Sequence, residues 1–178
     1  MTTIATRRLD LSPLSIEALE ALIEGNQAAL EAATGARFPE PLVAPPLMED
    51  VLPYFRDMLR DDPAAAPWWA RLIVVRASGE AAGSIGFTGR PEKDGSVIFG
   101  YSVYPTHQRQ GIASEAASGL ATWALEQPGV QLVRATIPPG HVASERVAAH
   151  AGLRRTGRII NDPDEGPVEV WERTRGQE

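Results

Sequence analysis

Two hydrophobic periods alternate along the chain. Arg8 to Leu11 reads as a short strand, and from Ser15 the apolar residues Leu19, Leu22 and Ile23 recur at helical spacing, with Ser15 as N-cap and Glu17 and Glu20 near the positive end. A second helix is predicted over Met48 to Leu59, where Val51, Leu52, Phe55, Met58 and Leu59 share one face and Pro53 must sit in the first turn. The period then drops to two. Arg71 to Val75 and Ala82 to Phe87 are short β-branched or aromatic runs around Ser78-Gly79-Glu80, and Val97 to Val103 follows the turn dipeptide Asp94-Gly95. Three antiparallel strands in succession are expected.

Ala113 to Leu125 is an alanine-rich helix with Leu120, Trp123 and Ala124 facing inward, Leu132 to Ile137 a strand, and Val142 to Ala151 a helix closed by Gly152. Strand, helix, strand, helix implies a parallel crossover, after which Arg158 to Asn161 and Val168 to Arg173 form a hairpin across Pro163 to Pro167. The Pro-rich stretches at Pro39 to Pro46 and Ala64 to Pro67 read as loops, and no internal repeat is visible. The expected fold is α/β, a mixed, mostly antiparallel central sheet with helices on both faces, in one domain spanning residues 1–178.

Composition narrows the chemistry. Hydrophobic residues make up 43% and charged residues 22%, so the chain builds a core. It has no cysteine, which excludes disulfides, thiolate metal sites and a cysteine nucleophile, and His107, His141 and His150 lack metal-ligand spacing, so no metal is expected. No apolar run approaches the ~20 residues that span a bilayer, and a cytoplasmic protein is expected. A net charge of −6 and a pI near 5.1 argue against nucleic-acid or membrane partners.

One segment carries a candidate chemistry. Gln108-Arg109-Gln110-Gly111-Ile112-Ala113 lies between an apolar strand ending in Val103-Tyr104-Pro105 and the alanine-rich helix. A strand that turns through glycine into a helix N-terminus offers converging N–H donors, little bulk and positive potential, which is what a pyrophosphate needs. Gly111 permits close backbone approach, Ala113 is small, Ser114 can add a hydroxyl and Arg109 can add charge. Neither GxxxxGK[ST] nor GxGxxG is present, which weakens an ATP or NAD reading.

With Gln108, Gly111 and Ala113 in the pattern [Q/R]-x-x-G-x-[G/A], the chain resembles the GNAT superfamily of acetyl-CoA-dependent N-acetyltransferases. The likeness extends to the branch of the ribosomal-protein N-terminal acetyltransferases (RimJ/RimL-like) through Arg7 to Leu14, Gly100-Tyr101-Ser102-Val103 and Ala143-Ser144-Glu145-Arg146-Val147. The resemblance implies a GNAT-like fold and acetyl-CoA as acyl donor. It also implies that the backbone amides of Gln108, Arg109, Gln110, Gly111, Ile112, Ala113 and Ser114 hold the pyrophosphate. The pantetheine arm would lie beside Tyr101 to Val103, where that strand splays from Leu132 to Ile137, and the Val103 amide would face the thioester carbonyl as oxyanion donor. A homodimer is a further family expectation.

Three features of the family pattern differ here. The usual Asn before the last helix is His141, whose imidazole can still donate or accept, and the usual thiolate-protonating tyrosine falls at Ala148. The resemblance to that branch, which uses a serine at this place, implies Ser144, one turn before Ala148, as the substitute acid, with an ordinary first-turn serine bonded to backbone as the competing use. The acid that often precedes Gly100-Tyr101 is replaced by Ile98 and Phe99, leaving His107 and the loop Asp162-Pro163-Asp164-Glu165 as base candidates. Tyr54, Phe55, Trp68 and Trp69 offer aromatic surface for an acceptor pocket, with core or dimer packing as the competing use. Three readings stay open: an N-acetyltransferase acting on a small-molecule or peptide amine by direct attack, a non-catalytic acyl-CoA-binding module, and a nucleotide or phosphate-ligand domain.

Overall fold

The computed structural model describes residues 2–46, 48–163 and 165–176. Among these, eight strands form a sheet in the order β1-β2-β3-β4-β5-β6-β8-β7. They are β1 Ile4–Ala5, β2 Leu9–Pro13, β3 Arg71–Val75, β4 Glu80–Phe87, β5 Ser96–Val103, β6 Leu132–Ile137, β7 Arg154–Asp162 and β8 Gly166–Thr174. Every neighbouring pair is antiparallel except β5 and β6, which are joined by the expected crossover and run parallel. The helices are α1 Ile16–Ile23, α2 Gln27–Thr34, α3 Leu52–Asp61, α4 Ile112–Glu126 and α5 Val142–His150.

Local chemistry explains both the agreements and the shifts. Ser15 caps α1 by accepting the Ala18 N–H at 3.2 Å, as its position before an apolar stripe predicts. Helix α3 begins at Leu52 and not at Met48, because a helix entered at Met48 would need the Pro53 nitrogen to donate to the Glu49 carbonyl, and proline has no N–H. Helix α2 was not foreseen, since Leu30 alone of its residues is buried and no apolar stripe advertises it. It is bounded by an Asn26 cap on the Ala29 N–H, 3.1 Å, and by left-handed Gly35. Strand β7 starts at Arg154, four residues before the predicted hairpin strand, because Arg154 to Asn161 are all exposed and show no alternation.

The sheet separates two apolar layers. On one face α4 and α5 pack Ala116, Ala117, Leu120, Ala121 and Val147 against Leu9, Leu11, Ile73, Phe99 and Val133. On the other, α1, α2 and α3 pack Leu19, Leu30, Leu52 and Leu59 against Leu72 and Ala81. Adjacent residues Leu72 and Ile73 thus serve opposite layers, as the pleat requires, and each fully buried leucine or isoleucine contributes about 2 kcal/mol.

Arg71 sits inside this framework with no exposed surface and no carboxylate partner among the described residues. Its guanidinium donates to the carbonyls of Thr2, Leu11 and Pro67 at 2.9, 3.2 and 3.1 Å and lies 4.9 Å from the Trp123 ring centroid. Burial pushes its pKa down to about 10, which leaves it charged at neutral pH. It ties the N-terminal segment to the floor of the sheet beneath the site.

Candidate active site

The parallel ladder between β5 and β6 is short: it pairs Ser96 with Leu132, Val97 with Val133 and Ile98 with Arg134, and stops. Beyond Ile98 the two strands diverge while β5 stays paired with β4 as far as Val103. Thr88 donates to the Ile98 carbonyl at 2.9 Å and Tyr104 to the Ala82 carbonyl at 2.9 Å, so the even-numbered backbone groups of β5 point at β4. Alternation turns the amides of Tyr101 and Val103 the other way, into the gap that β6 has vacated.

The open end of that gap meets the turn into α4. Gly111 is its N-cap, at φ 75° and ψ 8°, and Arg109 is also left-handed, at φ 59°, an uncommon conformation for a side-chain-bearing residue. No described residue accepts a hydrogen bond from the backbone amides of residues 109–114; the first amide of the helix to find a partner is that of Glu115, bonded to the Gly111 carbonyl at 3.0 Å. Six free amides at the positive end of a fifteen-residue helix, with exposed Arg109 among them, fit a polyanion such as a CoA pyrophosphate. Gln108 does something the sequence did not announce: its side-chain amide donates to the Val103 carbonyl at 3.2 Å and fastens the turn to the end of β5.

The turn is also braced from the connection between β1 and β2. Glu115 accepts from Thr6 Oγ1, the Arg8 backbone and Arg8 Nε at 2.7, 2.6 and 2.7 Å, and Arg8 Nη2 reaches the Gln110 carbonyl at 3.1 Å. Partial burial raises the Glu115 pKa, but these hydrogen bonds outweigh it and hold the carboxyl below its usual value. A depressed carboxyl contributes stability above its unfolded pKa and loses it as pH falls through the folded one. Glu115→Gln is therefore expected to cost about 1 kcal/mol in urea unfolding at pH 7, kept small by the half-exposed Arg8, and to cost progressively less as the pH is lowered below the ordinary carboxylate range.

On the other side of the gap, Ser144 lies half-buried in the first turn of α5. The Tyr101 hydroxyl donates to Ser144 Oγ at 3.2 Å, a bond between residues 43 apart that no sequence pattern signals. Burial raises the Tyr101 pKa, partly offset by this bond. His141 is the N-cap of α5, where its Nδ1 accepts the Ser144 N–H at 3.3 Å, and Ala148 is buried in the core. The two base candidates are otherwise engaged. His107 meets Thr106 Oγ1 at 3.0 Å and Glu80 at 3.8 Å, and Asp162 Oδ1 accepts the Glu165 N–H at 3.0 Å to close the β7–β8 turn; Asp164 lies outside the described residues.

The opposite face of the sheet carries two cavities. One of about 330 Å³ is lined by Tyr54, Trp69, Thr88, Ile98, Asp62 and Glu92. The other, about 390 Å³, lies against Glu31, Arg37, Glu80, Tyr104 and His107. Tyr54, Phe55 and Trp69 form one aromatic group with ring centroids 5.7–6.0 Å apart, whereas Trp68 packs at a tilt of 53° against Phe87 and Trp123 inside the other layer. Beside Ile98, Gly100 is exposed in mid-strand, with nothing within 4 Å of where a Cβ would stand. The sheet is uncovered there, next to the point where the ladder ends.

Comparisons with known proteins place the fold in a family. The family described as the acetyltransferase (GNAT) domain matches residues 8–154. The uncharacterized N-acetyltransferase YjdG of Bacillus subtilis (strain 168) is 26% identical over 164 residues, covering 90% of this chain and 92% of its own. In fold, the chain is similar to Mycobacterium smegmatis RimJ in complex with CoA-disulfide, with TM-score 0.68, 17% identity and coverage of 97% and 87%. It is equally similar to RimL, a ribosomal-protein alpha-N-acetyltransferase solved with coenzyme A, with TM-score 0.67, 17% identity and coverage of 99% and 100%. No helix among the described residues is long and apolar enough to cross a membrane. The chain belongs to the GNAT acetyltransferase family and is an N-acetyltransferase that takes its acetyl group from acetyl-CoA.

Proposed function

We propose that the chain transfers the acetyl group to a primary amine, of a peptide N-terminus or a small molecule, by direct attack within a ternary complex. The observation that carries this reading is the edge of β5 that β6 leaves free, whose Tyr101 and Val103 amides face the gap, tied through Gln108 and the Val103 carbonyl to the turn that carries the free amides of residues 109–114. The turn holds the pyrophosphate, with Arg109 and the Ser114 hydroxyl adding to the cradle and the buried Ile112 anchoring it to the core. Tyr101 and Val103 bond the extended arm and, at its reacting end, the thioester carbonyl, where a fixed backbone donor contributes about 3 kcal/mol as negative charge develops. His141 positions the start of α5 beside the arm, and Ser144 presents its hydroxyl to the departing sulfur.

The amine enters from the other face, through the cavity between Tyr54, Trp69 and Ile98 and past Gly100. Asp62 there is held by Arg90 at 2.7 Å, while Glu92 has no ion pair among the described residues. The net negative charge draws a protonated amine, and the aromatic walls suit its cationic head. A volume of about 330 Å³ takes a small amine or the first residues of a peptide. The fold likeness to RimJ and RimL supports the peptide.

Calorimetric titration with acetyl-CoA, with ATP and NAD as controls, followed by a thiol-release assay against a polyamine, an amino-acid amide, an aminoglycoside and a short peptide, tests the reading. Saturable one-site binding of acetyl-CoA alone, and initial rates whose double-reciprocal lines intersect, are expected. Binding without thiol release from any amine would instead establish a silent acyl-CoA module, the reading favoured by the alanine at position 148.

A further inference from the structure

A serine hydroxyl is a poor lone acid for a thiolate. Handing its proton to a sulfur whose thiol pKa is about 8.5 would leave an alkoxide, unless a second donor refills the oxygen at once. Ser144 has such a donor. Its Oγ receives the Tyr101 O–H at 3.2 Å, and its own backbone N–H is committed to His141 Nδ1, so among the described residues the hydroxyl has one protein donor behind it.

The placement follows from the strand. Val97, Phe99, Tyr101 and Val103 point into the α4 and α5 layer, and Tyr101 is the member of that row with a polar tip. It reaches from β5 to α5 alongside the gap, close to where the ladder with β6 ends. The family's tyrosine position, on the next turn of α5, is the buried and protonless Ala148.

Resting on the reading that the gap takes acetyl-CoA, we propose that Tyr101 and Ser144 together form a proton relay to the departing thiolate. As the C–N bond forms and the C–S bond breaks, sulfur takes the Ser144 proton and Ser144 takes the Tyr101 proton. The attacking nitrogen sheds two protons over the cycle; one goes to solvent and the other returns through solvent to Tyr101. Atoms and charge balance without a further reactant. Tyr101 is the positioning residue of the pair, because it acts on sulfur through Ser144. The ionisable side chains flanking Ser144 on α5 are His141, which caps the helix, and Glu145, which is held by Arg155 at 2.8 Å, and α4 presents Ile112, Ala116 and Ala117 to this layer.

The test uses the full chain and the variants Tyr101→Phe, Ser144→Ala, the double variant and Ser144→Thr. Each is measured for thiol-release kcat and acetyl-CoA KM from pH 6 to 10, for acetyl-CoA binding by calorimetry, and for thermal midpoint. Tyr101→Phe is expected to lower kcat by roughly tenfold, the low end for acid catalysis because thiols leave readily, with KM, affinity and midpoint unchanged. The double variant should be no slower than Ser144→Ala, and Ser144→Thr should recover part of the rate. A tyrosinate titration by ultraviolet absorbance, taken as wild type minus Tyr101→Phe, reads the contact without turnover and should move upward in Ser144→Ala. Unchanged kcat in Tyr101→Phe, or independent multiplicative losses in the double variant, would overturn the relay while leaving the acetyltransferase reading intact. Failure of the wild type to bind acetyl-CoA overturns both.

Discussion

Gly111→Val should bind acetyl-CoA at least about a hundredfold more weakly than the parent chain while losing less than about 10 °C in thermal midpoint. The two effects separate because of where the Cβ would go. On the protein side its nearest neighbour is Arg8 Nη2 at 3.4 Å, an ordinary van der Waals contact with the far end of a long side chain, so packing is barely disturbed. The folding cost is the strain of a β-branched residue at φ 75°, about 1–3 kcal/mol, which for a chain of this size is a shift of a few degrees. On the ligand side the same Cβ stands among the free amides of residues 109–114, and two charge-assisted bonds pushed out of reach remove about 3–6 kcal/mol of affinity. Each 1.4 kcal/mol is about tenfold, hence the hundredfold floor. Calorimetry beside a melting curve checks both halves, and unchanged affinity in a folded Gly111→Val chain would remove the turn from the site.

That turn was legible in the sequence because its chemistry is local: six consecutive residues, a glycine that lets the backbone be approached closely, and periodic elements on either side. The antiparallel run β3 to β5, the crossover through α4 and the Ser15 cap were legible for the same reason. What the sequence hid depends on distance or on the absence of pattern. The Tyr101 bond to Ser144 and the Thr6, Arg8 and Glu115 brace join residues 43 and more than 100 positions apart, and nothing in either segment requires the other. Helix α2 buries one leucine and β7 none of its first eight residues, so neither shows a period. Arg109 in the left-handed region is invisible as well, since arginine carries no conformational signal of the kind glycine does.

Gly83→Ala should have the largest effect on the fold, a loss of about 3–5 kcal/mol in urea unfolding. Gly83 sits at φ 152°, where β4 carries an extra residue against β3: Ile73 faces Gly83, but Val74 faces Ala81. A Cβ there would stand 2.1 Å from the Ser102 carbonyl oxygen and 2.8 Å from the Val103 Cα, both backbone atoms of β5. Neither can rotate away as a side chain would, so β4 and β5 must part. The strand forced to move is the one whose Tyr101 and Val103 amides line the gap, and the chains that still fold should release thiol more slowly, with kcat falling along with stability. Gly100→Ala is the matched control: it lies on β5 with open space at its Cβ position and should leave unfolding within about 1 kcal/mol of the parent. A selective rise in the amine KM in that control, with acetyl-CoA affinity kept, would place the acceptor on the uncovered face of the sheet. A Gly83→Ala chain as stable as the parent would mean that the bulge can relax, and that the spacing of β4 and β5 does not hold the gap.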